Sequence, residues 1–252
     1  MSKVIAVANQ KGGVGKTTTA VNTAASLGLL GYNVLLVDLD PQGSATSGVG
    51  VPKRSLRFTV RDLMLGNCRL AEAISKTAFE HLDLVPANIS LAGAEFDLLD
   101  GDGAERHLAN ALRKAQTYDY IIIDCPPSLG MLTINAMVAA DGVIIPMQCE
   151  FYALEGLSQL TATIARVKKR YNPRLAVTGI LVTMLNKRLA LSVQVMEELQ
   201  KHYGDRLFET TIARNVRIPE APSFGMPVYY HDKRARGAKD YLELARELVS
   251  RA

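Results

Sequence analysis

The sequence predicts a single doubly wound α/β domain, a mainly parallel sheet with helices on both faces. Short apolar runs of strand length alternate with longer helix-forming segments from one end of the chain to the other, the order that builds such a sheet. Two of these runs, Asn33-Val34-Leu35-Leu36-Val37-Asp38 and Asp119-Tyr120-Ile121-Ile122-Ile123-Asp124, finish on an acid. The first run, Val4-Ile5-Ala6-Val7-Ala8, passes through a glycine-rich loop into a helix, the context a phosphate-binding loop requires. No linker or repeat interrupts residues 1–252.

Taken in order, Val4 to Ala8 is too short for a helix and suits a buried strand. Ala20 to Leu30, rich in Ala and Leu without Pro, predicts a helix. Asn33 to Asp38 is the next strand, and strand, helix and strand form one βαβ unit with a right-handed crossover. Leu39-Asp40-Pro41-Gln42-Gly43-Ser44 is polar and turn-forming, and residues 50–80 are mixed, with short helices expected. His81 to Pro86 is a further strand. Residues 104–116 fit an amphipathic helix with Leu108, Ala111, Leu112 and Ala115 inward. Asp119–Asp124 and Gly142–Met147 are strands, 153–171 a helix, Val177 to Leu185 a strand and 189–203 a helix. The stretch 207–230 is loop-rich and carries Pro219, Pro222 and Pro227, and 238–250 closes as a helix. In such folds ligands gather at the carboxyl ends of the strands, so Asp38, Asp124 and the glycine loop fall on one edge.

Composition narrows the function. No apolar run reaches the roughly 18–20 residues of a membrane span, and Met1-Ser2-Lys3 leads directly into a strand, so no signal peptide or added N-terminal domain is expected. Cys68, Cys125 and Cys149 form no C-x-x-C pair and no metal-ligand spacing, which points to buried thiols in a reduced cytosolic setting. Charge is divided unevenly. Residues 1–155 hold 12 Lys and Arg against 16 Asp and Glu, residues 156–252 hold 17 against 9, and no acid lies between Glu155 and Glu197. A basic half suggests an anionic partner, nucleic acid or a membrane surface.

In Asn9-Gln10-Lys11-Gly12-Gly13-Val14-Gly15-Lys16-Thr17-Thr18-Thr19 the glycines let several backbone N–H groups point into one hollow, where the following helix adds its partial positive charge. Gly12, Gly13, Val14, Gly15 and Thr18 are the candidate cradle. Lys16 would reach the β- and γ-phosphates, and the Thr17 hydroxyl would sit on Mg²⁺. The first glycine of the ordinary motif is replaced by Gln10, and Lys11 adds a second lysine. From the loop's start Lys11 cannot easily join Lys16 on the same phosphates, so an outward direction, toward a nucleotide held by another subunit, is expected. The alternative, a glycine-rich surface turn with solvated lysines, does not explain the flanking strand and helix. Asp124 ends an apolar run in the manner of a Walker B acid and would hold Mg²⁺ directly or through water. Asp38 and Asp40 are two residues apart, on the same side if the strand persists. Asp40, farther out in the turn, is assigned the attacking water, and Asp38 the Mg²⁺ shell. The candidate catalytic residues are therefore Lys11, Lys16 and Asp40.

Together, Lys11 to Thr18, Asp38-Leu39-Asp40-Pro41-Gln42-Gly43, Asp124-Cys125-Pro126-Pro127-Ser128, Glu150 to Gly156 and Arg214 to Ser223 resemble the ParA family of DNA-partitioning ATPases, specifically its short chromosomal Soj branch. The resemblance spans essentially the whole chain. It implies an ATP- and Mg²⁺-dependent homodimer that binds double-stranded DNA without sequence preference, hydrolyses ATP slowly and is stimulated by a ParB-like centromere-binding protein. It also implies a cytoplasmic, nucleoid-associated setting. It places base contacts near Met184 and on Pro219 and Glu220, the catalytic aspartate on Asp40, the signature lysine on Lys11, and DNA-contacting arginines on Arg188 and Arg217.

Arg214 lies in the same proline-rich stretch as Arg217, and Lys233, Arg234 and Arg236 cluster before the last helix. No helix-turn-helix, zinc site or aromatic run is visible, so phosphate contact rather than base readout is expected. The rival class is a MinD-like membrane ATPase, which ends in a basic amphipathic helix. Here Tyr241, Leu244, Ala245 and Leu248 form one stripe, while Asp240, Glu243 and Glu247 balance the bases of the polar side, so that helix is expected to pack in the core. A cluster-binding redox relative would need bridging cysteines, and an amide-forming relative a second substrate pocket.

Overall fold

Strands whose residues are buried in succession can only be interior, and four runs of this kind form the middle of the sheet. The computed structural model describes residues 2–97, 103–113 and 115–251. In chain order the first half contains β1 (Lys3–Val7), α1 (Lys16–Leu29), β2 (Val34–Asp38), α2 (Ser44–Gly48), α3 (Val60–Met64), α4 (Leu70–Ala73), β3 (Ser75–Lys76), β4 (Leu82–Val85), α5 (Leu91–Asp97) and α6 (His107–Leu112). The second half contains β5 (Tyr120–Asp124), α7 (Met131–Ala139), β6 (Gly142–Met147), α8 (Ala153–Arg170), β7 (Ala176–Val182), α9 (Ala190–Tyr203), α10 (Arg217–Glu220), α11 (Val228–His231) and α12 (Arg236–Arg251). The sheet order is β3-β4-β2-β5-β1-β6-β7, parallel throughout except for the two-residue β3 against β4.

Successive side chains of each strand point to opposite faces, and the core divides accordingly. Ala6, Leu35, Val37, Ile121, Ile123, Val143 and Ile145 face the α6, α7 and α8 side. Ile5, Val7, Val34, Leu36, Ile122 and Ile144 face α1 and α12. The stripe Tyr241, Leu244, Ala245 and Leu248 is buried, as expected for a core helix. Register then sets the functional edge: β5 Asp124 stands opposite Val7 of β1 and Asp38 of β2. Both carboxylates therefore finish beside the loop that follows β1.

The structure departs from the expected elements at several points. Helix α1 begins at Lys16 rather than Ala20, because Gly15, at φ 86°, turns the chain into the helix directly. Ser44–Gly48, which starts on the last residue of the expected polar turn, is helical and is held by Asp38, which accepts from both the N–H and the hydroxyl of Thr46 at 2.7 Å. No helix is expected between Asp124 and Gly142, yet α7 fills that space with Leu132, Thr133, Asn135, Ala136, Met137 and Val138 all buried. A helix covered on nearly every side has no amphipathic period to read. The stretch 207–230 is partly helical, through α10, α11 and a 3₁₀ turn at Ala221–Phe224. The expected helix 104–116 is a 3₁₀ turn followed by α6, with Lys114 outside the described residues.

Candidate functional site

The loop between β1 and α1 is held by its carbonyls. Lys16 Nζ donates to Lys11 O at 2.9 Å, Gln148 Nε2 to Gly13 O at 2.8 Å and the Thr183 hydroxyl to Val14 O at 2.8 Å. Asn9 fixes the entry by accepting from Lys11 N at 3.0 Å and donating to Pro146 O at 2.8 Å. The amides are left over. Among the described residues, nothing accepts from the N–H groups of Gly12, Gly13, Val14 and Gly15, and the first turn of α1 adds its own unpaired donors. A loop with its acceptors bound and its donors free fits an anion.

Lys16 is buried, and desolvation lowers its pKa, opposed chiefly by the Asp124 carboxylate. Lys11 turns the other way. Its carbonyl accepts from Lys16, while its ammonium lies on the exposed rim paired with Glu150. Gly12 and Gly13 beside it face open space, with no atom within 4 Å of a built Cβ.

The three candidate carboxylates differ in what occupies them. Asp124 is fully buried, and neither of its oxygens has a hydrogen-bond partner. The neighbouring Thr17 hydroxyl draws its pKa down somewhat. Burial first, and then the Asp38 charge, push Asp124 well above the ordinary carboxylate range. An orphaned buried carboxylate beside a free hydroxyl and a phosphate cradle suits Mg²⁺, which takes one or two protein oxygens and fills its shell with phosphate and water. Asp38 is already occupied: Oδ1 accepts from Asp40 N at 3.2 Å and Oδ2 from Thr46. Burial raises it to about 6. It therefore holds the α2 turn and the Asp40 backbone in place. Asp40 Oδ1 accepts from Gln42 N at 2.9 Å, and no donor among the described residues reaches Oδ2. The strand ends at Asp38, so Asp40 belongs to the turn. Cys125 is buried, and burial pushes its thiol far up, as expected of an inert thiol.

Next to the loop is a cavity of about 510 Å³, lined by Gly15, Thr18, Met184, Asn215, Pro219 and Tyr241 among others. Met184 takes φ 52° there, an uncommon conformation for a side-chain-bearing residue. The structure thus brings Met184 and Pro219 together with the loop. Glu220 is not part of the lining, and its carboxylate takes the Arg217 guanidinium at 2.8 Å. Sequence reasoning missed Thr183, Gln148, Asn215 and Tyr241. Thr183 and Gln148 carry no local motif, Asn215 lies inside the Arg214 to Ser223 match without a role of its own, and Tyr241 reads only as part of the buried stripe, so the fold alone brings them to the loop.

Of the expected phosphate-contacting residues, Arg188, Arg214, Lys233 and Arg234 are exposed and form no ion pair among the described residues. Arg217 is also exposed, but it is tied to Glu220 and, at 3.6 Å, to Asp232. Arg236 is held by Asp240 at 2.6 Å. No helix among the described residues is long and apolar enough to cross a membrane.

A family model described as an AAA domain matches residues 2–177. The sporulation initiation inhibitor protein Soj of Bacillus subtilis (strain 168) is 52% identical, covering 99% of this chain and 99% of its own length. The chromosome partitioning protein ParA of Caulobacter vibrioides is 47% identical, covering 99% and 94%. A crystal structure of cobyrinic acid a,c-diamide synthase from Mycobacterium smegmatis, with bound ATP analog and magnesium, has a TM-score of 0.86 at 40% identity, covering 99% of this chain and 95% of that one. Relatives matched over 94–99% of their own length carry the partitioning names, and a donor-lined loop beside an orphaned acid fits a nucleotide and a metal ion. The chain belongs to the ParA and Soj family of P-loop ATPases.

Proposed function

We propose that this ATPase partitions DNA. ATP pairs two copies across the face that carries Lys11, the pair grips duplex DNA without reading its sequence, and hydrolysis, stimulated by a ParB-like centromere-binding protein, releases it. The reading rests above all on the direction of Lys11. Its carbonyl serves its own loop, and its side chain leaves that loop for the rim, where a second copy's nucleotide would be within its reach. The exposed Phe151 and Tyr152, 76% and 70% accessible, adjoin Glu150 on that rim. Large apolar groups left in water commonly mark a contact surface.

Within one copy, Lys16 and the amides of Gly12 to Thr18 would hold the phosphates, Met184 and Pro219 would border the base, and Thr17 and Asp124 would hold Mg²⁺. The ion supplies neutralisation of the charge that develops on phosphoryl oxygens. Asp40, with one carboxylate oxygen fixed and the other available, orients the attacking water. Asp38 positions Asp40 and α2 rather than meeting the metal itself. Arg188, Arg214, Lys233 and Arg234 offer unpaired charge to phosphates, and pairing doubles the patch, so two linked contacts raise affinity. DNA binding would place the protein on the nucleoid. A membrane-surface role gains no support, because the apolar stripe of the last helix is buried.

The direct test is the ATPase rate of the purified chain alone, with DNA, and with DNA plus a ParB-like protein. A slow rate that rises when DNA and partner are both present is expected, and Asp40→Ala should remove it while leaving ATP bound. Fast turnover indifferent to both additions would refute the reading.

A further inference from the structure

Helix α9 carries more apolar surface than the core uses. Ser192, Val195 and Leu199 face inward. Val193 and Met196, spaced i and i+3, lie side by side on the helix, Met196 half-buried against the core and Val193 toward solvent, with Leu189 just before the helix at its N-cap. Leu189 and Val193 remain 55% and 45% accessible. Beside this pair runs a groove of about 340 Å³, lined by Leu185, Lys187, Val193, Met196, Glu197 and Glu209 among others. Its far wall is a segment that continues the sheet past β7. Phe208 N donates to Ile180 O and Ile212 N to Val182 O, both at 2.9 Å, and Leu185 bridges to Ala213 in parallel sense.

The charges of the groove are unusual for their surroundings. Residues 156–252 contain 17 bases and 9 acids, so an acid there has ample opportunity to be paired. Six of the nine are paired: Glu198 with His202, Glu220 and Asp232 with Arg217, Asp240 with Arg236, Glu243 with Arg246, and Glu247 with Arg251. Glu197, Asp205 and Glu209 have no such partner among the described residues, and two of these three line the groove.

We propose that this groove docks a short amphipathic segment of a partner protein. The segment lays apolar side chains against Val193 and Met196 and brings lysine or arginine to Glu197 and Glu209, the helix-in-groove mode of recognition. Lys187, also in the lining, repels a cation beside it, so the basic side chains of the segment go to the two glutamates. DNA is the wrong occupant, since two carboxylates would meet its phosphates. The surface is separate from the nucleotide cavity, and its assignment does not depend on the partitioning reading.

The test uses the full chain and two fluorescein-labelled synthetic amphipathic peptides with the same leucine face, one flanked by lysines and the other by glutamates. Anisotropy at physiological salt is read for the wild type, for Glu197→Lys with Glu209→Lys, and for Val193→Asp. All three positions are exposed, so folding should be retained, and circular dichroism verifies it. The wild type is expected to bind the lysine peptide about ten-fold more tightly than the glutamate peptide, the worth of two partly solvated ion pairs. The double variant should reverse that preference, and Val193→Asp should weaken both peptides. Binding of neither peptide, equal binding of both, or a preference the double variant leaves intact would overturn the proposal. So would a Val193→Asp effect confined to self-association, which would assign the groove to a second copy.

Discussion

At Gly12 a side chain has room within one copy and, in the proposed pair, none between two. The built Cβ meets nothing within 4 Å, and the backbone is not in the left-handed region. Gly12→Val should therefore fold with a stability within about 0.5 kcal/mol of the wild type, as surface changes do. It should nonetheless fail to pair with ATP, as read by thermal melting and sedimentation velocity. An ATP-dependent dimer of that variant would remove Gly12 from the interface. The Lys11–Glu150 pair beside it is roughly half exposed on both sides, so it contributes only about 0–1 kcal/mol and does not lock Lys11 in place.

Asp124 presents the opposite balance, a group kept at the cost of stability. Its pKa is raised above the ordinary 3.8 by burial and by Asp38, and Asp38 itself is raised to about 6. A carboxyl raised by folding contributes stability below its unfolded pKa and loses that contribution as pH climbs through the folded value. The ligand-free wild type thus carries the full penalty only above the shifted range, and an asparagine escapes it. Asp124→Asn should stabilise the ligand-free protein by about 1–3 kcal/mol at pH 8, with the gain shrinking as pH falls toward 4. Lys16 would lose a favourable charge, but its ammonium is bonded to Lys11 O, so the orphaned carboxylate dominates. A destabilised variant at pH 8 would show that Asp124 is not a strained buried charge.

Among the elements, α1 packs tightly at Gly28, where a built Cβ would lie 2.5 Å from Glu80 O. Alanine improves helix propensity by up to about 1 kcal/mol, while overpacking costs about 1–3 kcal/mol. The atom met is backbone and cannot swing aside, so the steric cost wins. Gly28→Ala should lose about 1–2 kcal/mol in urea unfolding, and a gain would place α1 farther from the Glu80 turn.

The same contrast between local and distant causes explains what could be read from the sequence. Buried runs such as Leu35-Leu36-Val37 and Ile121-Ile122-Ile123 announce inner strands, and the loop announces itself because Gly15 and Lys16 are neighbours in the chain. Helix α7 has no polar face and left no period to follow. The ties that hold the 207–230 stretch in place were equally silent. Asp240 of α12 accepts from Ala213 N at 3.1 Å, and Glu247 accepts from Glu209 N and Thr210 N at 2.8 and 2.9 Å. These ties join a proline-rich stretch to a distant helix, and no local pattern records them. The role expected of Asp38 changed for a related reason, since its occupancy depends on a helical turn at Thr46 that the polar composition did not announce.

For the whole molecule, the basic half is only partly available to an anion, since Arg217 and Arg236 are engaged by acids of the same chain. Lys233 and Arg234 are exposed without such partners. Reversing both to glutamate should weaken DNA binding across sequences and lower the slope of log affinity against log salt by about 1 per lost phosphate contact, with ATP binding unchanged. An unaltered slope would move the DNA face elsewhere.

The account stands on ATP creating both the pair and the DNA grip. Sedimentation equilibrium of the Asp40→Ala variant, with Mg²⁺ and either ATP or ADP, run alongside DNA co-sedimentation of the same samples, tests this most directly. With ATP the mass should be twice the 27.4 kDa of one chain and DNA affinity should rise with it, while ADP gives neither. A single chain with ATP bound that holds DNA as tightly as it does without nucleotide would contradict the account.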